Sequence, residues 1–293
     1  MNSTALKIEE HLSLLLSNHL HEGEVQRPQR LLDAMKYSVL SGGKRLRPLL
    51  IVEAARLFGR DDKGVLIAAS ALECIHCYSL VHDDLPAMDD DHVRRGRPTA
   101  HIQFDEATAI LAGDALLTYA FDLIADPLVH PSAEVRLRLS RELSRASGLG
   151  GMAGGQMLDL ESEHRDRTEV EIRTLQAMKT GALIRYACRA GALLGDAEEA
   201  DVSRLTRFGE IIGLAFQLAD DLLDLKGDSA VVGKATGKDA AAGKATLVGL
   251  LGETQTREEL NKLINEANDL LSPFGEKGEI LRTLAHFIAE RDN

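Results

Sequence analysis

Tryptophan is absent from this 293-residue chain, and aromatic side chains make up only 4% of it. A base-stacking surface for single-stranded nucleic acid is therefore not expected. Basic residues are in deficit as well: 34 Lys and Arg stand against 46 Asp and Glu, a formal charge of −12. Nucleic acid and anionic membrane surfaces both need a positive field, so neither is an expected partner. Apolar runs fall short of the ~20 residues that a bilayer span requires. Glu9, Glu10 and His11 interrupt the first twenty residues, where an export signal would stay apolar. With only Cys74, Cys77 and Cys188, a disulfide framework is not expected, and a reduced, cytoplasmic setting follows.

Prolines number only seven, and long stretches repeat apolar or small residues at helical spacing. Val65, Ala69, Leu72, Ile75, Ser79 and Leu80 form one such stripe between Asp62 and Asp84. Similar patterns cover Glu106 to Ala125, Ala133 to Ser147, Thr168 to Leu194, Ala197 to Leu225 and Glu258 to Leu271. Asp126-Pro127, His130-Pro131, Gly195-Asp196 and Ser272-Pro273 punctuate them. No alternating run suggests a sheet. The expectation is an all-α, single-domain bundle of long helices over residues 1–293, layered around a central space.

Two helices are expected to end in, or carry, paired aspartates. Asp83, Asp84, Asp89 and Asp90, with Asp91 adjacent, straddle Pro86, which should stop the helix near Asp84 and Leu85. Asp83 and Asp84 then lie at a helix C-terminus, where the dipole disfavours negative charge unless cations neutralise it. In the second cluster, Asp220 and Asp224 share a face at i, i+4 with Asp221 beside them, and no Lys or Arg stands at i±4. Oxygen ligands without thiols or clustered histidines favour magnesium. Basic residues sit close to both clusters: Lys44, Arg45 and Arg47 in SGGKRLRP, then Arg94 and Arg95, Lys179 in a KTG triplet, and Lys234, Lys238 and Lys244. As a set they read as phosphate clamps.

These motifs, in this order, resemble the trans-type polyprenyl diphosphate synthases, most closely the bacterial farnesyl diphosphate synthases. The resemblance rests on GGKRLRP (Gly42 to Pro48), DDLPAMD followed by RRGRPTAH, GMAGGQMLDL (Gly151 to Leu160), KTG (Lys179 to Gly181) and FQLADDLLD followed by GKATGKDAAAGKAT. It implies an all-α homodimer whose two aspartate motifs face each other across a deep cavity. It implies head-to-tail condensation of isopentenyl diphosphate with dimethylallyl and then geranyl diphosphate. Three magnesium ions would be held by Asp83 and Asp89 with Asp84 in support, and by Asp220, with Asp221 and Asp224 acting through water. Arg94, Lys179, Lys234 and Lys244 would contact the allylic diphosphate. Lys44, Arg47, His76 and Arg95 would bind isopentenyl diphosphate without metal. The Lys179 carbonyl, the Thr180 hydroxyl and Gln217 would stabilise the allylic cation. Gln156, Asp159 and Lys238 receive no definite role.

Spacing adds that His76 lies two helical turns before Asp83, on the same side. Tyr78 and Ser79 precede Asp83 by five and four residues, and the resemblance makes them the determinants of product length. Helical geometry puts Ser79 ~40° and Tyr78 ~140° from Asp83, so periodicity alone does not make Tyr78 the cavity floor. A geranylgeranyl synthase of the same fold, a class I terpene cyclase and a non-catalytic regulatory subunit are the rival readings. Two tempting patterns fail. Gly148 to Ala153 fits a dinucleotide turn but follows an amphipathic helix rather than a strand. Cys74 and Cys77 form a CxxC without a second pair, on a helix, and read as packed thiols.

Overall fold

In the computed structural model the described residues are 2–162, 167–226 and 246–290. They are almost wholly helical, and their contacts sort into two compact units interleaved in sequence: Met1–Leu49 with Asp62–Ser140, and Leu50–Asp61 with Arg141–Asn293.

The first unit contains α1 (Asn2–Leu15), α2 (Gln29–Val39), the start of α3 (Leu46–Arg56), α4 (Lys63–Asp83), α5 (Ala100–Gln103), α6 (Glu106–Ala125) and the first half of α7 (Ala133–Ser147). Its core is the α4–α6 pair. Ala68, Ala71, Leu72 and Ile75 of α4 and Ala109, Ala112, Leu116 and Ala120 of α6 are buried, and such small side chains let two helix axes approach closely. Both helices start on an aspartate cap. Asp62 accepts from the Val65 amide at 3.1 Å and Asp105 from Thr108 at 2.7 Å, each worth ~1 kcal/mol. That amide and the Arg30 guanidinium hold the Asp105 carboxyl down to about 2.

Two expectations are corrected here. Val93–Arg94 and Arg97–Pro98 pair as a short antiparallel hairpin, β1 and β2, turning on Arg95 and Gly96. Both turn residues have positive φ, +52° and +73°, the geometry whose twist suits a two-residue hairpin. Nothing in the sequence alternates, because each strand is only two residues long. Second, α4 and α6 are long and apolar enough, by length and composition, to cross a membrane. In α4 that apolar stretch is 72% buried inside the protein and in α6 44%, so α4 spends most of its apolar surface on the core.

The second unit contains the end of α3, the end of α7, α8 (Met152–Leu160), α9 (Glu169–Gln176), α10 (Ala182–Leu194), α11 (Glu199–Lys226), α12 (Leu247–Leu251), α13 (Glu253–Leu271), a 3₁₀ segment (Ser272–Gly278) and α14 (Glu279–Ala289). Helix α11 packs against α10 on one side and α13 on another, around the wholly buried Phe208. The expected helix from Thr168 to Leu194 is continuous, with Thr168 forming a capping box with Glu171. It is widened by a π-helical turn at Ala177–Gly181, which no periodicity announces.

Candidate active site

The first aspartate motif is shaped by its own backbone. Pro86 ends α4, as expected, and the chain folds back so that the amides of Asp89, Asp90 and Asp91 donate to the carbonyls of Asp83, Leu85 and Asp84, at 2.8, 3.2 and 3.2 Å. Four residues between the aspartates are what this return needs. It sets Asp89 beside Asp83, both partly exposed, while Asp84 is buried. Asp84 is gripped by Arg94, whose Nε donates to Oδ1 at 2.7 Å, and Asp91 lies 3.5 Å from the same guanidinium. Burial alone would lower the Arg94 pKa, but Asp84, Asp91 and Asp83 reverse that and raise it. Of the five acids, Asp84 and Asp91 therefore hold Arg94 in place, and the returning loop leaves Asp83 and Asp89 as neighbouring, partly exposed oxygen donors.

The expected isopentenyl diphosphate residues also gather in this unit. The loop before α3 has positive φ at Gly42, Gly43 and Arg45. A Cβ on Gly43 would come within 2.7 Å of the Arg95 guanidinium, so glycine is required for Arg95 to lie against the loop and donate to the Gly42 carbonyl. Arg47 Nη1 approaches His76 Nε2 to 3.4 Å. Burial, then Arg47, Arg95, Arg94 and Arg45, push the His76 pKa well below its usual value. The ring is neutral, and Arg47 as a pure donor makes Nε2 the acceptor and leaves the proton on Nδ1. Lys44 is exposed on the same loop. Arg45 departs from the expectation. It is buried and turned inward, donating to Glu73 at 2.7 Å, Glu9 at 3.1 Å and the Val39 carbonyl at 2.7 Å. It anchors the loop and is not a phosphate clamp.

Tyr78 and Ser79 are both partly buried on α4. The Tyr78 ring meets His82 edge to face at 5.8 Å, and burial and the Asp83 charge raise its hydroxyl pKa. The Ser79 hydroxyl donates to the His76 carbonyl at 2.9 Å. Cys74 and Cys77 are buried free thiols as expected, and burial, aided by Glu73, pushes Cys77 up to about 12.

In the second unit, Lys179 and Thr180 occupy the π-helical turn. Such turns recur at functional positions, because the wider coil changes which backbone groups are paired. Helix α8 packs on it so tightly that a Cβ on Gly155 would reach 2.2 Å from the Lys179 amide nitrogen. One turn further along α8, Asp159 accepts from Lys179 Nζ at 2.7 Å. Between them Gln156 is buried, and among the described residues neither of its amide atoms has a hydrogen-bond partner. The glycine-rich segment thus serves close helix packing, as its sequence suggests, and also orients the lysine, which its sequence does not reveal.

Gln217, Asp220 and Asp224 lie at i, i+3 and i+7 on α11 and are partly buried. Asp221 is buried instead. Its Oδ2 accepts from the Leu247 amide at 3.1 Å and lies 3.4 Å from Gln176 Nε2, so this carboxylate fastens the start of α12 to α11. The expected Lys234, Lys238 and Lys244 lie outside the described residues. A further grouping escaped the sequence, which showed no clustered histidines. The hairpin brings His92 and His101 together beside Asp90.

The polyprenyl synthetase family model matches residues 28–273. The chain is 45% identical over 267 residues to farnesyl diphosphate synthase of Escherichia coli (strain K12), covering 89% of each protein. It is 43% identical over 267 residues to farnesyl diphosphate synthase of Bacillus subtilis (strain 168), covering 91% of this chain and 90% of that one. An apo crystal structure of an FPP/GFPP synthase from Zymomonas mobilis superposes with a TM-score of 0.86 at 40% identity, covering 98% of both chains. From its two aspartate motifs to its helical fold, the chain belongs to the polyprenyl synthetase family.

Proposed function

We propose that this chain is a prenyltransferase that condenses isopentenyl diphosphate with dimethylallyl and then geranyl diphosphate, releasing pyrophosphate at each step and ending at farnesyl diphosphate. The observation that carries this reading is in the first unit: a metal-compatible carboxylate pair, Asp83 and Asp89, shares its unit with a cationic set of Arg47, Arg95 and neutral His76. A class I cyclase has one diphosphate to bind and no use for that second set.

The donors fit magnesium. Asp83 and Asp89 offer oxygen alone, from the end of α4 and the backbone-fixed loop after it, and Asp220 and Asp224 offer oxygen from one helical face, which suits an ion that completes its shell with waters and phosphate oxygens. We propose three ions per site, with Asp84 supporting through Arg94. Bound magnesium supplies charge neutralisation of the leaving diphosphate. Arg94 and Lys179 add fixed positive charge to the same anion, joined in the expected set by Lys234 and Lys244. Loss of the allylic C–O bond leaves a carbocation. The Lys179 carbonyl and Thr180 hydroxyl of the widened turn, with Gln217, then offer dipoles without a nucleophile. Arg47, Arg95, Lys44 and the Nδ1–H of His76 orient isopentenyl diphosphate, whose double bond attacks the cation. A proton leaves the new chain to pyrophosphate.

The reading further takes residues 1–293 as one synthase domain acting in a cytoplasmic homodimer, with no stable membrane association. Incubating the purified chain with isopentenyl and dimethylallyl diphosphates, with and without magnesium, tests it by mass analysis. Magnesium-dependent farnesyl diphosphate is expected. Hydrocarbon released from farnesyl diphosphate alone, or no turnover by the pure chain, overturns it.

A further inference from the structure

Among the described residues, one grouping combines nitrogen and oxygen donors: Asp90, at the far end of the first acidic cluster, with His92 and His101, each offering an atom within 4.8 Å of the others. We infer that these three residues form a separate site for a borderline transition-metal dication such as Zn²⁺, which magnesium does not occupy. Imidazole suits zinc, cobalt, nickel and iron, whereas magnesium selects oxygen.

His101 is the fixed member. It is 7% exposed, at the start of α5. Its Nδ1 lies 3.2 Å from the buried Thr99 hydroxyl, and Nε2 is buried with no hydrogen-bond partner among the described residues. A buried nitrogen left unpaired costs stability, and a metal would satisfy it. Thr99 plays the part that a metal-bound histidine requires of its neighbour, holding the far nitrogen and setting the ring. The Thr99 amide also donates to the His92 carbonyl at 3.0 Å, closing the hairpin so that the two imidazoles stand 6.2 Å apart, ring to ring. Beneath, Ala100 packs with Val81 and Ala109, which seats α5 on the α4–α6 pair.

The other two members are adjustable. Asp90 Oδ1 lies 3.7 Å from His92 Nε2, and their side chains are 60% and 69% exposed. Bonds of about 2.0–2.2 Å separate tetrahedral ligand atoms by roughly 3.4 Å. Closing from 4.8 Å asks about an ångström of movement from two exposed side chains and none from the buried one. Water would fill the remaining position. Because Asp90 follows Asp89, occupancy ties the loop of the first motif to α5 and stabilises the fold by mass action.

Titrating the tag-free full chain with Co²⁺ in a large excess of Mg²⁺ tests the inference. One equivalent is expected to bind with visible d–d absorption of a four- or five-coordinate ion, and Zn²⁺ should displace it and raise the Tm. His92→Gln and His101→Gln should each weaken binding by about tenfold or more, whereas Asp83→Asn should retain it. His92→Gln, on an exposed side chain, should fold normally and keep magnesium-supported turnover while losing the Zn²⁺-dependent rise in Tm. Binding unchanged in both histidine variants, or abolished by Asp83→Asn, overturns the proposal.

Discussion

The two aspartate motifs present similar residues on opposite kinds of backbone. In the first unit, Pro86 breaks the helix inside the motif, and the returning loop fixes the carboxylates through backbone hydrogen bonds. In the second, α11 runs straight through Asp220, Asp221 and Asp224, and only helical periodicity sets them apart. Both arrangements hold acids of two kinds, some fastened to an identified arginine or amide and others partly exposed. Asp84 and Asp91 hold Arg94, and Asp221 holds the Leu247 amide, while Asp83, Asp89, Asp220 and Asp224 stay partly exposed. The neighbour a carboxylate is folded against decides which role it takes, more than its place in a DDxxD pattern.

Turnover is the largest effect by which to break this comparison. Asp83→Ala and Asp220→Ala should each lower kcat by about 10²–10³-fold or more, the scale of losing one fixed electrostatic group, with Tm close to the parent. If Asp220→Ala were as active as the parent, the two motifs would not share one reaction. Stability should respond elsewhere. Arg45→Met strands Glu73, 2% exposed, beside a lost partner, and should cost about 3–5 kcal/mol in denaturant unfolding. Arg45→Met with Glu73→Met should recover much of that loss. Asp221→Ala removes the acceptor of a buried amide and should cost about 1–3 kcal/mol, with faster hydrogen exchange at the Leu247 amide. A variant with lower activity but unchanged exchange there would return Asp221 to the metal.

Product length distinguishes the regions in another way. Tyr78 and Ser79 sit one turn above the first motif, and nothing in the second motif corresponds to them. Tyr78→Ala should shift product from C15 toward C20, read by mass analysis of the dephosphorylated alcohols. An unchanged distribution would leave Tyr78 as a core aromatic against His82.

Most helices were legible because long apolar stripes and Pro or Gly punctuation are local signals, and α6 and α7 begin and end where the pattern does. The candidate site was half legible. Spacing put His76 and Asp83 on one side of α4, but the clamp on Asp84 depends on a hairpin of two-residue strands that no periodicity can show. Arg45 could not be told from Arg47 by type. Only the fold reveals that one turns toward Glu73 and the other toward His76. The π-helical turn at Lys179 has no stripe of its own, since a single wide turn leaves the flanking periodicity nearly intact. The Gly155 to Asp159 spacing was the available signal for its partner helix.

The smallest effect is in pH, and it bears on the first unit alone. His76 is held neutral by burial and by the surrounding arginines, so its pKa when folded lies well below the ordinary value of 6.5. Between those two values the unfolded chain binds a proton that the folded chain refuses. Folding stability is therefore unaffected above about pH 6.5 and falls as pH drops below it, by at most about 1.4 kcal/mol per pH unit for one group. His11, whose pKa is lowered by burial and by Lys63, adds a weaker slope of the same sign. His76→Gln should flatten the decline between pH 6.5 and 5 more than His11→Gln does, in urea unfolding at matched ionic strength. A slope unchanged in His76→Gln would mean that the imidazole is protonated in the folded protein, and that Arg47 is not donating to its Nε2.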